Sequence, residues 1–178
     1  MDQQRPVSAA ESIYLGRVFL TMGARTSAGL AHFSGWMLIA FAAILGTLLA
    51  NLESATKILS PEAVGKVAGL FALVVLLHLL QRYSAAIVAS GSAGGMEIEK
   101  LPVPDGMPVE MMLEQMEKAI FWPAKYLVRR SNRKLLQGDF AAGGRLMLKL
   151  AQVEAWLAFA QLLTVIAATW VLANALRG

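Results

Sequence analysis

Two histidines and one set of polar side chains inside apolar sequence are the residues of this chain that could do chemistry. His78, Gln81, Arg82, Ala85 and Ala89 follow one another at i, i+3, i+4, i+7 and i+11, a spacing that puts them on one face of a helix. Arg82 is the only charge inside that apolar run. An ionised side chain within a membrane span costs about 2.5 to 3.5 kcal/mol near the centre and turns toward protein or water. Arg82 has two ways to meet that cost. It snorkels to phosphates at the near membrane edge, or it pairs with Glu154, the acid that borders the last apolar run. The second reading predicts an Arg82–Glu154 contact within one chain or between copies.

Other chemistries find too few ligands. His32 and His78 are the only histidines, and a bis-imidazole haem needs both at one depth; His78 lies on the order of 9 Å further in than His32. With no cysteine there is no thiolate for a metal, no cysteine nucleophile and no disulfide. Arg25 and His32 have the R-x6-H spacing of some ribonucleases, but they sit at a membrane edge. Ser34 lies in FSGW rather than G-x-S-x-G, and no phosphate-cradling glycine motif is present. No catalytic residue, cofactor or metal is expected, and His78 reads as a histidine hydrogen-bonded to a neighbouring helix.

The elements that position these residues follow from composition. Of 178 residues 57% are hydrophobic and 16% charged, well short of the roughly 25% charged of soluble domains. Uncharged stretches over residues 33–50 and 155–173, and the run from Val67 broken only by Arg82, which is taken as a span over residues 64–84, each approach the length that spans hydrocarbon. The chain is therefore read as an all-α integral membrane protein with three transmembrane helices. An amphipathic helix precedes them, and a cytoplasmic helical segment joins spans two and three. No cleavable signal peptide is expected, because Arg17 and Arg25 interrupt the first apolar stretch.

Local signals place the boundaries. Ser8 and Glu11 have capping-box spacing, opening a helix over residues 9–24 that Gly23 and Gly29 bend into span one. Ser60, Pro61 and Glu62 mark a sharp helix start. The glycine-rich residues 91–95 and the prolines of residues 101–108 read as a linker. A helix is predicted over residues 108–121, acidic where residues 118–149 are basic, so the two halves attract as antiparallel helices or meet another copy. Pro123 separates them, Gly138 closes the second, and Asp139 caps the last helix. The resulting divisions are residues 1–31, 32–91, 92–150 and 151–178.

Nine Lys and Arg lie between spans two and three and three precede span one, against two in the first loop and one after span three. Positive residues are retained in the cytoplasm, so the amino terminus faces in and the carboxyl terminus out, in a bacterial inner membrane. Trp36 and Trp170 fit interfacial anchors. Ala31, Gly35, Ala42 and Gly46 form a small-residue side of span one, and Glu154, Ala158, Gln161 and Ala168 a side of span three; such faces allow close helix approach in lipid. His78, Gln81, Arg82, Glu154 and Gln161 are thus candidates for helix contacts or for lining a pore. Lys125, Arg129, Arg130, Arg133 and Lys134, interleaved with apolar residues, suit anionic lipid. Topology already explains these bases, so nucleic acid is not expected as a partner.

These features imply a non-enzymatic inner-membrane subunit or scaffold of a multi-subunit assembly of transport or secretion type, associating with its own copies or with other subunits. A self-oligomerising pore that dissipates ion gradients is the alternative, and a membrane enzyme or haem-carrying anchor the third.

Overall fold

A computed structural model describes residues 8–51, 53, 59–98, 108–120 and 124–175. Among them lie five α-helices and no strand: α1 (Ala9–Ala50), α2 (Pro61–Ile98), α3 (Val109–Ala119), α4 (Ala124–Leu136) and α5 (Ala142–Ala175). α1, α2 and α5 contain 42, 38 and 34 residues. At about 1.5 Å per residue each is well over the roughly 30 Å of a hydrocarbon core. Their most apolar windows are only 17%, 17% and 22% buried within the chain. So much outward-facing apolar surface supports a multi-pass membrane protein.

The helix ends follow the local signals. Ser8 N–H donates to Glu11 Oε2 at 2.8 Å and Glu11 N–H to Ser8 Oγ at 3.3 Å, a reciprocal capping box. Ser60 Oγ accepts the Ala63 N–H at 3.2 Å, with Pro61 the first residue of α2. Gly138 closes α4 in the left-handed region at φ +87°. Asp139 does not cap α5, contrary to expectation. It sits a full turn before the first helical residue Ala142, and its carboxylate pairs with Arg145 instead. Pro123 and residues 101–107 of the expected linker lie outside the described residues.

Two expected breaks are absent. No break in the helix divides a leader from span one, since α1 is continuous through Gly23 and Gly29. Residues 91–95 are late turns of α2 rather than a linker. Glycine in a helix costs about 1 kcal/mol relative to alanine, and packing outweighs that here. A Cβ on Gly23 would come within 3.1 Å of the Met147 backbone, and one on Gly91 within 2.9 Å of the Met147 side chain. Ser92 Oγ donates to the Leu20 carbonyl at 3.4 Å.

Burial recurs every seven residues along the long helices. The positions are Ser27, Ser34 and Phe41 on α1, Val67, Val74, Gln81 and Val88 on α2, and Met147, Glu154, Gln161 and Ala168 on α5. Seven is the spacing at which helices remain side by side over many turns.

The chain divides into two compact units, Met1–Ser27 with Ala86–Gln152, and Ala28–Ala85 with Val153–Gly178. In the first, α3 folds back on α4 as an antiparallel hairpin. Arg129 Nε lies 3.4 Å from Glu117 Oε1, and Asn132 Nδ2 donates to the Leu113 carbonyl at 3.4 Å. The attraction expected between the acidic and basic halves thus occurs within one chain. In the second unit Phe41, Val67, Val74 and Ala168 form the core. Phe41 and Phe71 meet edge to face with centroids 5.4 Å apart.

Candidate functional site

Within the second unit a polar network joins all three long helices. Ser34 of α1, His78 of α2 and Gln161 of α5 meet where the seven-residue period brings their faces together. Ser34 Oγ lies 2.8 Å from His78 Nδ1 and 2.5 Å from Gln161 Oε1, and Gln161 Nε2 donates to the Ser34 carbonyl at 3.2 Å. Ser34 and Gln161 are fully buried, and His78 is half-buried.

Proton counting assigns the roles. The bond from Gln161 Nε2 to the backbone carbonyl fixes the amide orientation, so Oε1 must accept. The single hydroxyl proton of Ser34 then goes to Gln161, and His78 must donate Nδ1–H to Ser34 Oγ. The imidazole is therefore not a base toward the serine, as a nucleophilic pair would require. What the arrangement does is satisfy polar groups that are buried between three apolar helices.

Gln81 lies one turn along α2 and is completely buried, with neither amide atom hydrogen-bonded among the described residues. Ala31 and Ala158, one turn from Ser34 and Gln161 in the same direction, are also buried; their small side chains leave room for it. Glu154 is buried further along α5. Arg82 is exposed. The shared α2 face thus divides, with Gln81 and Ala85 inward and Arg82 and Ala89 outward.

The small-residue side of span three is buried throughout, at Glu154, Ala158, Gln161 and Ala168. That of span one is not. Ala31 is buried, but Gly35 is half-buried, Ala42 and Gly46 are exposed, and a Cβ on either glycine would meet nothing within 4 Å. His32 lies apart from the network and accepts the Trp36 Nε1–H at 2.8 Å. Among the basic residues of α4, Arg129 pairs with Glu117, while Lys125, Arg130, Arg133 and Lys134 are exposed.

Sequence reasoning did not single out Ser34 as a contact residue. Its signal was available: it lies seven residues from both Ser27 and Phe41, on the spacing that proves to be buried.

Comparison with protein-family models, with curated proteins and with solved structures finds no match to this chain.

Proposed function

We propose that this protein is a non-enzymatic subunit or scaffold of a multi-subunit membrane assembly, of transport or secretion type, in a bacterial inner membrane. Its amino terminus and the α3–α4 hairpin are cytoplasmic and its carboxyl terminus is outside, in keeping with the distribution of Lys and Arg. The observation that carries this reading is the contrast between two faces of α1. One is closed by Ser34 against His78 and Gln161. The other presents Gly35, Ala42 and Gly46 with open space beside both glycines. In lipid, where close packing replaces the hydrophobic drive, small residues are what another helix approaches. The serine, buried and donating its proton to Gln161, offers no nucleophile.

The test is Gly35→Leu with Gly46→Leu, read by native mass spectrometry of the complex extracted in mild detergent. Both side chains project into open space, so the chain should keep its fold and lose its assembly mass. An unchanged complex would reject this face as the contact.

A self-oligomerising pore is the second reading, favoured by the buried amide of Gln81, which has no partner among the described residues. Such a group is satisfied by water or by another chain. Ion flux into liposomes containing the protein, abolished by Gln81→Leu, would support the pore; sealed liposomes would reject it.

A further inference from the structure

α4 and α5 present one spacing to each other. Leu127, Arg130, Ser131 and Lys134 on α4, and Ala142, Arg145, Leu146 and Lys149 on α5, each fall at i, i+3, i+4 and i+7, and together they line a pocket of about 140 Å³. Four cationic side chains border this small volume. Asp139, which pairs with Arg145, is the acid bound to any of them among the ion pairs of the described residues. Like charges gathered in this way repel, and a bound anion relieves the repulsion. Guanidinium forks beside ammonium point charges are the donors that phosphate oxygens favour.

An independent observation extends the site. Ser131 and Leu146 also line an apolar cavity of about 610 Å³ in the same unit, within the range of roughly 300 to 1,000 Å³ typical of ligand sites. Leu20 of α1, Ile87 of α2, Met116 of α3, Val128 and Leu135 of α4 and Met147 of α5 wall it. All five described helices contribute to this wall. A free phosphate would fill only the basic pocket; a hydrocarbon chain with a phosphate head fills both.

We propose that this unit binds an anionic amphiphile, with its phosphate head among Arg130, Lys134, Arg145 and Lys149 and its chain in the adjoining cavity. The site goes beyond the subunit reading and holds whether or not that reading survives. It also differs from a general attraction of basic residues to a membrane surface, because Arg145 and Lys149 come from a different helix and the chain has a defined cavity.

The full chain, purified in non-ionic detergent, is titrated by native mass spectrometry with lysophosphatidic acid, with lysophosphatidylcholine of the same chain length, and with glycerol phosphate. Lysophosphatidic acid should bind as a single adduct, at least tenfold tighter than either of the others. Choline places a cation against four cations, and glycerol phosphate has no chain. The double substitution Lys134→Gln with Lys149→Gln, at exposed positions, should weaken lysophosphatidic acid at least tenfold with an unchanged melting temperature. Val128→Trp should block the chain cavity, and Ser90→Phe tests the same wall should the first variant fail to fold. Glycerol phosphate binding as tightly as lysophosphatidic acid would overturn the proposal by leaving the cavity without a role. Equal binding of the choline lipid, or indifference to the double substitution, would overturn it by removing the head-group site.

Discussion

Gln161 holds Ser34 by both of its polar groups, donating Nε2–H to the backbone carbonyl at 3.2 Å and accepting the hydroxyl proton at 2.5 Å on Oε1. Because one of these bonds goes to backbone, no side-chain change at Ser34 removes it. Gln161→Leu should therefore cost more than Ser34→Ala. Hydrogen bonds between membrane helices average about 0.6 kcal/mol with a maximum near 1.7, so the expected losses are about 1 to 3 kcal/mol and about 1 kcal/mol respectively. Reversible unfolding in mixed micelles measures both. Equal losses would show that the backbone bond contributes nothing.

Gly144 and Gly143 are neighbours with opposite expected tolerance. A Cβ on Gly144 would collide with the Gly16 backbone carbonyl, whereas one on Gly143 would meet only Ser131 Oγ at 3.7 Å. Backbone cannot give way as a flexible side chain can, and overpacking a close contact costs about 1 to 3 kcal/mol or more. Gly144→Ala should lower the melting temperature clearly, while Gly143→Ala should leave it unchanged or raise it slightly, since alanine favours the helix. Melting curves of the two variants side by side decide the matter.

Gln81 buries an amide with no hydrogen bond among the described residues, and leaving such a group unsatisfied costs about 1 to 3 kcal/mol. Gln81→Met, close in shape and without the amide, should stabilise the isolated chain by an amount of that order. The same variant compared in the extracted complex separates two origins of the amide. If a partner satisfies it there, the substitution stabilises the isolated chain but weakens the complex.

The α3–α4 hairpin should respond to salt and acid. The Arg129–Glu117 pair has side chains 56% and 24% exposed, so its contribution is about 1 kcal/mol or less and is screened by salt. Glu117→Lys should speed hydrogen exchange in α3, and adding Arg129→Glu should restore the slower rate. In the same helix Lys118, hydrogen-bonded to Glu114, holds that carboxyl below its ordinary value. The folded pKa is the lower one, so this contribution is fully present above the unfolded-state pKa and disappears as pH falls through the folded value. Exchange from α3 should quicken on acidification over that window, and Glu114→Gln should remove this part of the response.

Much of the fold was legible because its causes are local. Uncharged runs long enough to span hydrocarbon, the Ser8–Glu11 box, the Ser60-Pro61 start and the Gly138 stop each depend on residues within a turn of one another. The attraction of α3 for α4 was legible too, because charge of opposite sign separates along the chain, but the same separation allowed a meeting with another copy, and contacts within one chain decided between them. Glycines misled for the converse reason. Gly23 and Gly91 look like breaks in sequence, but each is where Met147 packs, from more than 50 residues away.

The candidate sites divide in the same way. His78, Gln161 and Arg130 stand out by type, as polar groups in apolar sequence or as bases in a cluster. Only the tertiary structure paired His78 and Gln161 with Ser34, turned Gln81 inward and Arg82 outward on one helix face, and set Arg145 and Lys149 against Arg130 and Lys134. The sequence by itself determined which stretches become helices and those of their ends that Ser8, Ser60 and Gly138 mark, because those signals act over one turn. Which faces meet was decided by packing between helices far apart in the chain, where a seven-residue period and a few missing side chains set the register.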